Sequence, residues 1–132
     1  MYEHILVPLK SVPGDDVLVE HAAKLAKLTG GVVTLAHVVH SHSRDEAAFL
    51  EAEATGKLTK LAERLGKRGL QTEIIVGRGE PAEGILAAIK QVGADLVVMA
   101  THGHSNVRHL LVGSVTEEII RNSEAPVLLI RP

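Results

Sequence analysis

The chain contains no cysteine. That absence excludes a disulfide scaffold, thiol chemistry and thiolate zinc sites, and it fits a reducing compartment. Aromatic side chains are nearly missing as well. Tyr2 and Phe49 are the whole set, 2% of 132 residues, which leaves no platform on which single-stranded bases could stack. Charge of one sign is also lacking: the formal net charge of −2 supplies no basic field for DNA or an acidic membrane, so nucleic acid is not an expected partner. No apolar run approaches the ~20 residues of a membrane span. The apolar piece at residues 5–8 is too short for a secretory leader and gives way to Lys10 and Ser11. The expected location is the cytoplasm, with no membrane partner.

What is present reads as one domain over residues 1–132, with 45% hydrophobic content, enough for a core without staples. Four apolar runs, at 4–8, 32–39, 95–100 and 126–130, are rich in β-branched residues and nearly continuous, as strands covered on both faces should be. A fifth, at 72–76, alternates more and suits a sheet edge. Helical patterns lie between them. Residues 15–29 place Val17, Leu18, His21, Ala22, Leu25 and Leu28 on one stripe, opened by Asp15 and Asp16 and closed by Gly30 and Gly31. A second helix runs from about Asp45 to Leu65, with Gly56 weakening its middle by about 1 kcal/mol relative to alanine. Pro81 opens a third, with Ile85, Leu86, Ile89 and Val92 inward. The last spans about Ser114 to Asn122, with Val115, Ile119 and Ile120 inward. The order β-α-β-α-β-α-β-α-β predicts an α/β fold, a single doubly wound domain of parallel strands with helices on both faces.

In such a sheet a ligand binds beyond the carboxyl ends of the strands, where strand order reverses, here expected between the first strand and the fourth. The stretch from Ala100 to Ser114, ATHGHSNVRHLLVGS, begins there. Gly103 lets the backbone approach a ligand. Gly113 and Ser114 open the last helix, with Ser114 expected as the N-cap and the following amides free to attract an anion. Ser114 and Thr116 add hydroxyls, and Arg108 adds a cation. From spacing alone, phosphate binding and an ordinary helix start both remain open.

The same residues carry a family signature. The pattern Gly-x2-Gly-x9-Gly-Ser/Thr appears as Ala100-x2-Gly103-x9-Gly113-Ser114, followed by Val115, Thr116 and, further on, Ala125-Pro126-Val127. With the opening at 4–8, the second-strand Leu35-Ala-His37-Val38-Val39, the Gly79-Glu-Pro81 turn and the run at 94–99, the chain resembles the universal stress protein family over its whole length. The resemblance implies an adenine-nucleotide alpha hydrolase-like sheet of order 3-2-1-4-5 and a homodimer through the C-terminal strand, residues 127–130. In one branch it also implies bound ATP or another adenine nucleotide, such as AMP, with or without Mg²⁺. Pro8, Val38, Met99, Gly103, Gly113, Ser114, Val115 and Thr116 match that branch. With Lys10, Ala100 and His102 they make up the expected nucleotide-binding set. Two of these depart from the pattern. Lys10 stands where ATP-binding members usually carry an aspartate, and an ammonium donates hydrogen bonds but accepts none. Ala100 replaces the first signature glycine, which an extended backbone would tolerate and a left-handed one would not.

Other constellations weigh less. The groups His37-x2-His40-x-His42 and His102-x-His104 suit zinc, copper or nickel in ligand type, but no carboxylate or cysteine completes either run, so no metal site is expected. His37 is expected as a core histidine bonded to backbone, and His109 as a surface one. No catalytic constellation stands out, since Ser11, Ser41 and Ser114 lack nucleophile-elbow contexts and no carboxylate pair sits in the expected crevice. The expected function is that of a cytoplasmic, homodimeric, nucleotide-binding regulator of stress response. Two alternatives stay open: a stress protein acting through a protein partner without nucleotide, and a slow ATPase or autophosphorylating protein.

Overall fold

Strands and helices alternate along the chain: β1 (His4–Pro8), α1 (Asp15–Thr29), β2 (Val32–Val39), α2 (Arg44–Lys67), β3 (Thr72–Arg78), α3 (Pro81–Val92), β4 (Leu96–Ala100), α4 (Ser114–Asn122) and β5 (Val127–Ile130). This computed structural model describes residues 1–10, 15–101 and 113–131. The five strands form one sheet in the order β3-β2-β1-β4-β5, and every neighbouring pair is parallel. β3 is thus an edge strand, as its alternating pattern indicated. The chain winds outward from β1 to β3, then crosses back to lay β4 against the other side of β1.

That reversal puts α1 and α2 on one face and α3 and α4 on the other, because each right-handed crossover must return over the sheet. Side chains divide by strand parity. Ile5, Val7, Val33, Leu35, Leu96 and Val98 pack with Leu18, Ala22, Leu58 and Leu65 of α1 and α2. Leu6, Ala36, Val97 and Met99 pack with Ile85, Ile89 and Ile119 of α3 and α4. Burial on both sides explains why the strands read as continuous apolar runs.

Two expectations about helix faces need correction. In α1 the buried residues are Leu18, Val19, Ala22, Ala23 and Ala26. Val17 is 44% exposed, Leu28 is 85% exposed and His21 is exposed too. Three alanines let the helix lie close to the sheet, so the contact stripe is narrow and leaves these larger residues outside it. Ile120 of α4 is likewise 45% exposed, since Thr116 and Ile119, three residues apart, make the inward contact. α2 starts at Arg44, next to the expected Asp45, and runs two residues past Leu65 to Lys67. Ser43 caps it by accepting from the Glu46 amide at 3.3 Å, and the Glu46 carboxylate accepts from the Ser41 hydroxyl at 2.8 Å.

The end of the sheet opposite the strand carboxyl ends is pinned by polar contacts. The two carboxylate oxygens of Asp95 accept from the amides of Glu3 and His4, both at 3.0 Å, while the Asp95 amide donates to the His4 carbonyl at 2.9 Å. Partial burial alone would push this carboxyl up, but the backbone hydrogen bonds from His4 and Glu3 outweigh it and hold the group below its ordinary value. Gly31 packs against the Tyr2 carbonyl oxygen so closely that a Cβ there would overlap it.

Candidate functional site

The site is framed by the ends of β1 and β4. Their register pairs Leu6 with Val97, which carried two residues on brings Pro8 level with Met99. Both residues are buried. The chain then continues the ladder one residue past β1: the Leu9 amide donates to the Ala36 carbonyl at 2.7 Å. Nδ1 of His37 lies 2.7 Å from the Leu9 carbonyl oxygen. A carbonyl only accepts, so Nδ1 carries the proton and donates. The expected bond to backbone is present, although His37 is half-buried instead of sitting in the core, and its consequence is specific. His37 fixes the peptide immediately before Lys10, whose own side chain is exposed. The Lys10 amide is 3.5 Å from Asp15 Oδ1, a long contact.

Ala100 is the last residue of β4, paired with Ile130, and its methyl group packs into the α1 and α2 side of the core. Its backbone is extended; Tyr2 and glycines 30, 69, 79 and 93 are the residues with positive φ among the described ones. An alanine therefore sits at this signature position without strain. Thr101 follows it, 7% exposed, with its amide donating to the Ile130 carbonyl at 2.9 Å. The sequence reading missed Thr101, which extends the β4–β5 ladder by one residue.

At α4 the N-cap is Gly113, with φ −65° and ψ 163°, and Ser114 is the first helical residue instead of the cap. The first intrahelical bond runs from the Glu117 amide to the Gly113 carbonyl at 2.9 Å, so the amides of Ser114, Val115 and Thr116 have no partner within the helix. Glycine offers no side-chain cap, whereas Ser43 and Glu80 cap α2 and α3. A parallel crossover leaves this amide cluster at the carboxyl end of the sheet, with the helix dipole favouring negative charge. The two hydroxyls diverge: Ser114 is exposed, and Thr116 is 1% exposed beneath the helix. Val115 is half-buried against the α3 and α4 core. His102, Gly103, His104, Arg108 and His109 lie outside the described residues.

On the β2 side, Val38 is half-buried and packs beneath α3. A Cβ added at Gly84 would come within 2.7 Å of Val38 Cγ2 and 3.0 Å of Cγ1. Its side chain is occupied by the helix, which leaves the main chain as what it can offer a ligand. Gly84 is a residue the sequence reading passed over, although a glycine one turn into a helix that begins with proline signals close packing. Beyond Val38, the Gly79 amide donates to the Val39 carbonyl at 2.9 Å, and His40 Nδ1 lies 3.1 Å from the Gly79 carbonyl. The His40 and His42 rings meet edge to face at 5.6 Å. Among the described residues no group of three potential metal ligands occurs.

The arrangement therefore presents uncapped amides, the Ser114 hydroxyl and the Lys10 ammonium around a buried apolar floor of Pro8 and Met99. In chemistry, amides of this kind at a helix start suit an anion. Comparison with known proteins agrees on the class. A sequence model of the universal stress protein family matches residues 1–131, and the chain belongs to that family. Universal stress protein MJ0577 of Methanocaldococcus jannaschii is 26% identical over 155 residues, covering 99% of this chain and 96% of its own. Its solved structure superposes with a TM-score of 0.84 at 29% identity, over 100% of this chain and 97% of that one. Universal stress protein YxiE of Bacillus subtilis is 31% identical over 112 residues, 84% of this chain and 76% of its own. A universal stress protein from Archaeoglobus fulgidus, solved in complex with dAMP, has a TM-score of 0.74 at 25% identity, over 98% of each chain. Among the described residues, no helix is long and apolar enough to cross a membrane.

Proposed function

We propose that the protein is a stress-response regulator that binds an adenine nucleotide, ATP with Mg²⁺, at the carboxyl ends of β1 and β4. The observation that carries this reading is the start of α4, where three amides without an intrahelical partner follow a glycine cap. The dAMP complex of the A. fulgidus relative supports the ligand class. In this reading the amides of Ser114, Val115 and Thr116 hold phosphate together with Gly103 and Gly113, while Pro8, Met99 and the Val38 main chain receive the base. The residues fit the phosphate half better than the base half. Ala100 is accommodated in extended backbone, but Lys10 offers no acceptor to an adenine amino group and is better placed to pair with a phosphate or ribose oxygen.

The reading includes a dimer. β5 is an edge strand of half-buried residues, and antiparallel addition of a second copy would satisfy its open side. Sedimentation velocity reads this as twice the 14.1 kDa chain mass. Lys10 favours one second reading, in which the site is bypassed and the protein acts through a protein partner. Calorimetric titration of the ligand-stripped protein with ATP and Mg²⁺, repeated on Lys10→Asp, separates the two. Micromolar binding by the native chain supports the nucleotide reading. Binding by neither chain refutes it, and binding only after Lys10→Asp assigns the native protein to the partner reading.

A further inference from the structure

α2 carries two features that its own chain leaves unexplained. Phe49, the single phenylalanine, is 66% exposed. Gly56 lies inside the 24-residue helix with nothing within 4 Å of where a Cβ would stand. An exposed benzyl group and a glycine in mid-helix each disfavour the isolated chain, and no contact among the described residues offsets either. Both belong to one stripe. α2 buries Ala47, Ala54, Leu58 and Leu65. At about 100° per residue the opposite side runs through Asp45, Phe49, Ala52, Gly56, Lys60, Glu63 and Lys67, all of them exposed.

This stripe complements itself when reversed. Two copies placed antiparallel about a twofold axis near Ala52 set Phe49 over Gly56 and Asp45 beside Lys60, each pairing occurring twice. Alanine at the axis and glycine under the ring let the backbones approach. The net charge of the two halves also complements on reversal. Arg44, Asp45, Glu46, Glu51 and Glu53 give the first half −3, and Lys57, Lys60, Glu63, Arg64 and Lys67 give the second +3, so antiparallel copies set opposite net charges against each other, the two Glu53 side chains near the axis being the exception. Glu51 is engaged by Arg78 and Glu53 by Lys57, but Asp45 and Lys60 take part in no salt bridge among the described residues.

We propose that this face of α2 docks a second copy of the chain, helix antiparallel to helix. α2 packs over β2 and β3, at the other end of the sheet from β5, so this contact is separate from edge pairing by β5. One helix face lies at the small end of interface sizes, below about 1,200 Å², and the association is accordingly weak and concentration-dependent.

The cysteine-free sequence makes a site-specific test direct. Ala52→Cys, treated with a short bismaleimide, should join two copies in clear excess over Glu83→Cys, an exposed position on α3. Adding Asp45→Lys or Lys60→Asp should lower the yield about five-fold, the weight of two exposed ion pairs turned repulsive, and adding both should restore it. Lys60→Asp leaves the first turn of α2 untouched, so its loss is not a helix-start defect. Equal yields from Ala52→Cys and Glu83→Cys overturn the proposal and leave the face to a different partner. A double reversal that stays as low as the single ones overturns it too.

Discussion

Replacing Gly84 with alanine should destabilise the protein, although alanine is the better helix former. Propensity alone favours the change by about 1 kcal/mol. Against it stands the new Cβ, 2.7 Å from Val38 Cγ2 and 3.0 Å from Cγ1. Val38 is β-branched and stiff at χ1, so neither methyl can swing away cheaply. Overpacking of this kind costs about 1–3 kcal/mol, which leaves a net loss of about 1 kcal/mol. Urea unfolding should show it as a lower midpoint at unchanged slope. Val38→Ala removes both methyls and with them the overpacking, so the double variant should fall short of the summed losses by about 2 kcal/mol. Gly56→Ala provides the contrast: with open space around it, it should gain up to about 1 kcal/mol. If Gly84→Ala stabilises the protein as Gly56→Ala does, the close approach of α3 to the end of β2 is wrong.

Other substitutions probe the frame of the site. Gly31→Ala sets a methyl group against the Tyr2 carbonyl and should cost about 2 kcal/mol or more in the same unfolding assay. His37→Leu leaves the Leu9 carbonyl without its donor, with an expected loss of about 1–2 kcal/mol and weaker nucleotide binding as the peptide before Lys10 loosens. Asp95→Asn should cost about 1–2 kcal/mol at neutral pH, because one amide hydrogen bond is weakened and the other amide faces an NH2 group that cannot accept. The Asp95 carboxyl is held below its ordinary value in the folded state, so its contribution is complete above the unfolded value of about 4 and is lost as pH falls through the folded one. The gap between native and Asp95→Asn stabilities should therefore narrow between pH 5 and pH 2.

The order of elements was legible because each strand is covered on both faces and each helix is punctuated. Asp15 and Asp16, Pro81, Gly30 and Gly93 mark starts and stops in residue type alone. Helix rotation was less legible. Val17, Leu28 and Ile120 fit an apolar stripe by period, but periodicity cannot weigh three alanines that draw α1 close to the sheet against two larger side chains at its margin. Ser43 and Glu46 spell a capping box that places the start of α2 at Arg44, a signal present in the sequence and not used. At the site, the Gly113–Ser114 pair announced a helix start but not which residue caps it. A serine is the stronger cap by preference, yet glycine takes the position and gives the amides no side-chain cap. The neutrality of Ala100 depended on a backbone angle, which residue type does not reveal.

The claim that a nucleotide's phosphates sit on the first turn of α4 is tested most directly by amide NMR of the labelled protein titrated with ATP and Mg²⁺. The account expects saturable shifts at Ser114, Val115 and Thr116, with Lys10 responding in step and the amides of α2 unmoved. A titration that leaves those three amides unchanged, or that moves a different surface instead, would contradict it.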